Sequence, residues 1–230
     1  KIIKEARSMQ GLDTAVALTA PTGKAAARLA AAASSFSGPD GRAAGEAPPS
    51  FTMHRLLGYS PVAGFRHGRE NPLEYDVIVA DECSMADLPL MHRLLSSVKK
   101  GARLILLGDR DQLASVEGGA VFGDICGAGR AIYSSGIAGF CSRLTGSAAP
   151  AEGDGLPAAG DSITILTRNW RFGHESGIGL LASAVRRGDA DEAVEILASG
   201  AYSDLSWQPA AHRDYLGECI DLAADKYAGS

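Results

Sequence analysis

The chain has 230 residues, 46% of them hydrophobic and 21% charged, which is enough for one substantial core or for one core and a smaller second unit. It contains no run of about 18 apolar residues, and residues 1–5 lack the apolar stretch of a signal peptide, so we expect a cytoplasmic protein. The net charge of −5 argues against binding nucleic acid through one broad basic face, but not against a groove that grips a few nucleotides. The four cysteines form no Cys-x-x-Cys pair, so we expect reduced thiols.

Strand and helix patterns alternate along the first half of the chain. Residues 1–10 have the spacing of the end of a helix, and residues 37–50 are rich in Gly and Pro and predict a surface loop. Strands are predicted at residues 14–19, 76–80 and 103–107, and helices at residues 24–36, 52–57 and 88–98.

The predicted strands are almost entirely apolar, which indicates a parallel sheet that is covered by helices on both faces. Ligands of such sheets bind beyond the carboxyl ends of the strands. Ala20, Asp81 and Asp109 all fall at those ends, so we expect the chemistry to collect at one edge of the sheet.

The second half of the chain is less regular. Residues 127–161 are small and irregular and predict a flexible linker or insertion. A strand is predicted at residues 163–166, followed by helices at residues 176–187 and 189–197. We therefore expect a first domain at residues 1–126, the linker at 127–161, and the start of a second domain at 162–230.

Two adjacent carboxylates, Asp81 and Glu82, stand at the end of a buried-strand pattern. Burying such groups is costly unless something pairs with them. In nucleotide hydrolases this position holds an Asp that coordinates magnesium and a Glu that orients or deprotonates the attacking water. The alternative is that the two residues are only a polar strand end that begins a turn.

Residues 21–24 are similar to a phosphate-binding loop but do not form one. The loop pattern requires Gly where this chain has Leu18, and Ser or Thr where it has Ala25. Thr22 and Gly23 at a helix N-terminus still offer backbone N–H groups that suit a phosphate of a nucleotide or of DNA. An ordinary capped helix start explains these residues equally well.

Three further segments carry polar or aromatic side chains. Gln112 follows a strand and can contact a terminal phosphate through its NH2 group and another domain or DNA through its carbonyl oxygen. Arginines and aromatic residues mix at residues 168–172, where an arginine can stabilise charge on a transferred phosphoryl group and Trp170 or Phe172 can stack on bases. A structural aromatic with solvated arginines is the alternative there. For His54 alone, a locally bonded helix histidine is the default expectation.

Taken in order, these segments resemble the superfamily 1 DNA helicases of the RecD type, the family of the alpha chain of exodeoxyribonuclease V. Residues 20–29 look like motif Ia, residues 52–58 like the following DNA-side motif, residues 79–85 like motif II (Walker B), residues 107–116 like motif III, and residues 169–172 like motif IV. The resemblance spans about residues 14–190. Cys83 and Trp170 stand where the family more often has Ala and Tyr.

The resemblance implies a RecA-like P-loop NTPase sheet and the start of a second motor domain. It also implies ATP-driven 5′-to-3′ translocation on single-stranded DNA and unwinding of duplex ends in recombinational repair, in an exodeoxyribonuclease V complex with two larger subunits. Asp81 would bind Mg²⁺ and Glu82 would activate water. Gln112 would couple the state of the nucleotide phosphate to DNA, and Arg171 would contact the γ-phosphate. All four residues would thus belong to the ATP site. The implied DNA contacts are Pro21, Thr22, Gly23, Lys24, Thr52 and His54.

The family's phosphate loop would lie upstream of Lys1, and motifs V and VI are not recognisable in this sequence. We therefore expect a fragment that does not hydrolyse ATP appreciably by itself. A stand-alone RecD-like helicase and a non-catalytic DNA-binding module with a helicase fold remain alternatives. A dinucleotide-binding enzyme is disfavoured, because no Gly-x-Gly-x-x-Gly turn follows a strand.

Overall fold

The computed structural model describes residues 11, 13–35, 48–109, 112, 121–127, 133–149, 160–166, 172–173, 176–207 and 217. The chain divides into two compact units, residues 1–165 and residues 166–230. None of the helices in these described ranges is long and apolar enough to cross a membrane. The three domain segments expected from the sequence stay a prediction.

The first unit is built on a parallel sheet. Its strands, with a short hairpin, are β1 (Val16–Ala20), β2 (Ser50–Thr52), β3 (Tyr59–Ser60), β4 (Gly64–Phe65), β5 (Val77–Ala80) and β6 (Arg103–Leu106). The order of the four-stranded sheet is β2-β1-β5-β6, with all neighbours parallel, while β3 and β4 pair as a separate antiparallel hairpin. The mainly parallel α/β fold predicted from the apolar strands is confirmed.

Seven α-helices lie in the described part of the chain. They are α1 (Gly23–Ser35), α2 (Met53–Leu56), α3 (Leu88–Ser97), α4 (Val121–Cys126), α5 (Ser135–Thr145), α6 (Gly177–Arg187) and α7 (Ala190–Ser199). Each helix and strand predicted within residues 14–107 is present, and none of its ends is shifted by more than two residues. Such shifts are expected, because helix and strand ends fray and lack strong sequence signals.

The core of the first unit lies between the sheet and the helices α2 and α3. Ile78 in β5 is fully buried and belongs to one cluster with Met53 of α2 and with Met91 and Leu94 of α3. Side chains alternate along a strand, so Ile78 faces this cluster while its neighbours in β5 face the other side of the sheet. Removing a side chain as completely buried as Leu94 costs about 2–5 kcal/mol of unfolding free energy, so this cluster fixes the sheet that carries the site.

The sequence predicted an irregular segment at residues 127–161, but part of this segment is helical. Within them, helix α5 begins after Ser134, whose hydroxyl accepts a hydrogen bond from the N–H of Ile137, and ends at Gly146 in the left-handed conformation. Asp161 holds this start, since its carboxylate accepts hydrogen bonds from Ser134 N–H (2.7 Å) and Ser134 Oγ (2.8 Å). The strand predicted at residues 163–166 is also wrong, because these residues adopt no regular structure.

The second unit contains the two helices predicted there, α6 and α7, which pack against each other. The N–H groups of Ile178 and Gly177 donate to the carboxylate of Asp204 and hold its pKa below the usual value. A Cβ on Gly177 would lie 2.4 Å from Cβ of Tyr202, so only glycine allows the following loop to approach the helix start.

Candidate functional site

The carboxyl ends of the four parallel strands bring the predicted site segments to one edge of the sheet. Ala20 pairs with Thr52, and Ala80 pairs with Leu106, so these strand ends are level with one another. Residues 21–24 follow β1, residues 53–54 follow β2, residues 81–82 follow β5, and residues 107–109 follow β6. In parallel sheets this edge is where ligands bind. The expected gathering of polar groups at one edge is therefore present.

Asp81 is half-buried at the exit of β5 and is held by its neighbours. Its N–H donates to the carbonyl of Thr19 (2.8 Å), which continues the pairing between β5 and β1. Its Oδ1 atom accepts a hydrogen bond from the N–H of Glu82 (2.9 Å). One carboxylate oxygen is thus fixed by the turn, and the second has no hydrogen-bond partner among the described residues.

Glu82 has a strained backbone. Its φ of 52° and ψ of 37° are left-handed, and it is the one non-glycine residue with positive φ in the described ranges. For a residue with a Cβ this conformation costs about 1–2 kcal/mol, and such strain persists where the surroundings impose it. The turn is imposed by hydrogen bonds on either side, from Cys83 N–H to Leu107 O (2.9 Å) and from Met85 N–H to Glu82 O (3.0 Å). A plain polar strand end needs no such strain, so the outlier favours the functional interpretation of Asp81 and Glu82.

Cys83 lies beneath this turn and is chemically inert. Burial raises the pKa of its thiol from 9.0 to about 12, and its Sγ atom donates to the carbonyl of Ala80 at 3.2 Å. A neutral thiol of this size packs as a small apolar group. The departure from the Ala that is common in the family is therefore a packing change that adds no charge to the site.

Gln112 joins the site through a residue that sequence reasoning missed. Its Oε1 atom accepts a hydrogen bond from the hydroxyl of Ser84 at 3.0 Å, across 28 residues of chain. The sequence had suggested that this carbonyl oxygen contacts another domain or DNA, whereas here Ser84 occupies it. The NH2 group of Gln112 is the part of the amide that remains for a ligand.

Gly108 allows the two loops to come this close. A Cβ at this position would lie 3.0 Å from Cε1 of Phe122 and 3.1 Å from the backbone nitrogen of Ser84. Neither neighbour is the loose end of a flexible side chain, since one belongs to a ring and the other to the backbone. A glycine directly after the strand is thus the sequence signal for contact between the loops after β5 and β6.

The segment after β1 presents an exposed helix start. Thr22, Gly23 and Lys24 are exposed and Pro21 is half-buried. The hydroxyl of Thr22 accepts a hydrogen bond from the N–H of Ala25 (3.3 Å) and so caps α1. This capping leaves the N–H groups of Gly23 and Lys24 directed at solvent with no partner in the part of the chain that the structure describes.

The segment after β2 carries an aromatic cluster, which we define as His54, Tyr59 and Phe65. The His54 ring stacks on Phe65, with centroids 5.8 Å apart, and meets Tyr59 edge-on at 5.3 Å. The guanidinium carbon of Arg93 lies 5.3 Å from the Phe65 centroid. His54 is exposed and Tyr59 is 48% exposed, so the cluster faces solvent. Sequence reasoning found His54 only; the aromatic residues that follow it at 59 and 65 were the missed signal.

Thr52 has a structural role in addition to any ligand contact. Its hydroxyl accepts a hydrogen bond from the N–H of Arg55 at 3.2 Å and caps α2. Arg171, the predicted γ-phosphate contact, lies outside the described residues, as do Arg168 and Trp170.

The described residues contain no cluster of three or more His, Cys, Asp or Glu side chains that could hold a metal ion. In nucleotide sites Mg²⁺ binds through one or two carboxylates, waters and the phosphates of the substrate. Asp81, with one oxygen fixed and one without a protein partner, has the chemistry that this mode requires.

Known proteins resemble this chain in sequence. The RecBCD enzyme subunit RecD of Mycobacterium tuberculosis (strain ATCC 25618 / H37Rv) is 42% identical over 189 residues, which is 80% of this chain and 28% of the relative. RecD of Haemophilus influenzae is 37% identical over 190 residues, 79% of this chain and 30% of the relative. The ATP-dependent RecD2 DNA helicase of Deinococcus radiodurans is 46% identical over 110 residues, 48% of this chain and 13% of the relative.

These matches confirm the resemblance to RecD-type proteins. The chain spans less than a third of the length of the RecD relatives, 28% of one and 30% of the other. The sequence profile described as AAA domain matches residues 1–118, which is half of the chain and includes β1 to β6. On this match, together with the parallel sheet and the site at its carboxyl edge, the chain belongs to the AAA domain family.

Proposed function

We propose that the protein to which this chain belongs is an ATP-dependent 5′-to-3′ DNA helicase of the RecD type. It acts as a subunit of an exodeoxyribonuclease V complex in double-strand break repair and recombination. The observation that carries the proposal is the joined pair of loops after β5 and β6, in which the strained Glu82 stands beside Asp81 and Ser84 holds Gln112. Two carboxylates and one amide at the carboxyl edge of the sheet support the proposal, because ligands of parallel sheets bind at that edge.

Each side chain has a distinct task in ATP hydrolysis. Asp81 would hold Mg²⁺, which neutralises charge on the β- and γ-phosphate oxygens when it is bound. Glu82 orients and deprotonates the attacking water, and the turn fixes the backbone from which this carboxylate extends. Gln112 donates its NH2 group to the terminal phosphate. Arg171 would stabilise the charge on that phosphate from the second motor domain, a role that the sequence predicts.

The other half of the edge suits single-stranded DNA. Lys24 and the exposed N–H groups at the start of α1 can bind a backbone phosphate. The aromatic cluster offers a ring face on which a base can stack, and Arg93 adds positive charge beside it. Pro21, Thr22, Gly23 and Thr52 complete the DNA contacts that we propose. Few charges are needed for such a groove, in keeping with the net charge of −5.

The test of the proposed function is ATP hydrolysis by the full-length protein, with and without single-stranded DNA, in wild type and in Glu82→Gln. We expect DNA-stimulated turnover that falls by about 10²–10⁴-fold in Glu82→Gln, because a positioned general base contributes this much. Glu74→Gln is the matched control, since Glu74 is exposed and precedes β5 at the opposite end of the strand. Unchanged turnover in Glu82→Gln would refute the assignment of Glu82, and no turnover with intact DNA binding would identify a non-catalytic binding module.

A second candidate is a helicase that works without partner subunits. The similarity to the RecD2 helicase of Deinococcus radiodurans favours it. Isolation of the protein at its natural level distinguishes the two. Recovery with two larger chains supports the complex, and unwinding by the protein alone supports the stand-alone enzyme. The cytoplasmic location expected from the sequence belongs to both candidates.

A further inference from the structure

The loop after β5 contains one polar side chain for which the proposed mechanism has no use. Ser84 stands two residues after Glu82, in the short 3-10 turn Cys83–Met85, and only 7% of its surface is exposed. A hydroxyl in such a place is costly to bury unless it forms a hydrogen bond. Its partner is Gln112, whose backbone N–H in turn donates to Asp109 O at 3.2 Å.

We propose that Ser84 is the positioning residue for Gln112, and this inference rests on the proposed ATPase function. The Ser84 hydroxyl donates to the carbonyl oxygen of the Gln112 side chain and so holds the amide with that oxygen towards Ser84. In that orientation the NH2 group, a donor, is on the side away from Ser84. A terminal phosphate carries only acceptors, so the fixed orientation is the one that can bind it.

The contact also connects the phosphate-sensing amide to the hydrolytic carboxylate. The turn that carries Glu82 is held to the loop after β6 at two points, by the backbone bond from Cys83 to Leu107 and by the side-chain bond from Ser84 to Gln112. Gln112 is exposed whereas Ser84 is buried. We therefore infer that the buried Ser84 orients the Gln112 amide, and that Gln112 does not orient Ser84. Loss of the Ser84 hydroxyl frees the amide to rotate while the backbone bond keeps Glu82 in place.

The expected signature is a fall in kcat without a matching change in KM for ATP. In the full-length protein we expect Ser84→Ala to lower kcat of the DNA-stimulated reaction about five- to tenfold, which is the size of one neutral hydrogen bond. Ser84→Thr keeps the hydroxyl and is expected to restore most of the activity. Ser97→Ala is the matched control, because Ser97 is also buried and its hydroxyl donates to Arg93 O within α3; its kcat should equal that of wild type.

A double-mutant cycle tests whether Ser84 acts through Gln112. Gln112→Ala removes the amide at an exposed position and should reduce kcat at least as much as Ser84→Ala does. If Ser84 only positions Gln112, adding Ser84→Ala to Gln112→Ala has no further effect on kcat. Should Ser84→Ala prevent folding, Ser84→Cys takes its place, because its thiol stands where the hydroxyl was and donates only weakly, so kcat should still fall.

Three results would overturn the inference: an unchanged kcat in Ser84→Ala while Gln112→Ala is impaired, additive losses in the double mutant, or a loss in Ser84→Ala that appears only as lower thermal stability. The proposed ATPase function itself is tested by Glu82→Gln, so its failure can be distinguished from a failure of the inference about Ser84.

Discussion

The two halves of the sheet edge in the first unit are built differently. On the half after β5 and β6, the loops are held to each other: Cys83 N–H bonds to Leu107 O, the Ser84 hydroxyl bonds to Gln112, and Glu82 is locked in a left-handed conformation. On the half after β1 and β2, the capping bonds stay within their own turns: the hydroxyls of Thr22 and Thr52 accept hydrogen bonds from the N–H groups of the residues three positions later.

The difference matches what each half is proposed to do. Hydrolysis requires groups held within about 0.5 Å of the productive geometry, which crossed hydrogen bonds and a fixed backbone provide. A motor must bind and release successive nucleotides, and exposed donors with a stacking surface permit this. Bonds between loops thus characterise one half of the edge, and capping bonds within single turns characterise the other.

The largest effect should come from breaking the rigid half without touching the exposed one. In the full-length protein, Asp81→Asn should lower ATP turnover about 10²–10³-fold, because it removes the charge that Mg²⁺ requires, while affinity for single-stranded DNA is unchanged. Steady-state hydrolysis and fluorescence anisotropy measure the two. Asp87→Asn is the control: Asp87 caps α3, and Asn caps equally well. Loss of DNA affinity in Asp81→Asn would contradict the proposal that the two halves of the edge serve hydrolysis and DNA binding separately.

The reverse experiment removes the stacking surface. His54→Ala should weaken binding of single-stranded DNA by about 5- to 100-fold, the range found for one base-stacking side chain, with kcat at saturating DNA unchanged. His92→Ala, which removes an exposed histidine from α3, should leave DNA affinity as in wild type. Equal affinities for the two variants would remove His54 from the DNA contacts.

A comparison of two glycines tests the difference in packing. Gly108→Ala should lower the free energy of unfolding of the chain by about 1–3 kcal/mol, because the new Cβ overlaps a ring and a backbone atom. Gly23→Ala at the start of α1 meets open space and should be neutral or stabilising by up to about 1 kcal/mol. Urea denaturation gives both values, and similar values would show that the loops after β6 and β1 are equally open.

The backbone strain at Glu82 should appear as a difference in unfolding free energy between two substitutions at this position. Glu82→Gly and Glu82→Ala both remove the carboxylate, but only glycine adopts the left-handed backbone without cost, so Glu82→Gly should be more stable than Glu82→Ala by about 1 kcal/mol. Thermal and urea unfolding check this directly. Identical stability would mean that the left-handed turn is not strained.

The smallest effect is expected at Thr52. Thr52→Ala should cost about 1 kcal/mol of unfolding free energy through loss of the helix cap, and Thr52→Ser should retain it. If Thr52→Ala instead leaves stability intact and weakens DNA binding relative to Thr52→Ser, the hydroxyl serves DNA and not the helix.

Much of the first unit follows from the sequence because its strands are short apolar runs that end in polar residues. That pattern predicted β1, β5 and β6, and with them the position of Asp81 at the carboxyl edge. Two features could not be predicted. The contact between Ser84 and Gln112 depends on which strands are neighbours, and the left-handed backbone of Glu82 is imposed by bonds from another loop.

Helix α5 shows a different kind of miss. Small residues hid its periodicity, yet its ends carried ordinary signals, with Ser134 as the cap and Gly146 after the last turn. The strand expected at residues 163–166 failed for the opposite reason. Its apolar residues fit a strand, but a strand also needs a paired neighbour, and none of the described strands pairs with this segment.

The burial of Cys83 has a consequence for oxidative chemistry. Peroxides and alkylating agents attack the thiolate, and a thiol with a pKa of about 12 exists almost entirely in the protonated form at neutral pH. The cysteine next to the two carboxylates is therefore shielded from sulfenic acid formation and from reagents such as iodoacetamide, whereas Cys126 and Cys141 are only partly buried. A sulfur atom next to Asp81 and Glu82 therefore does not make that turn sensitive to redox conditions.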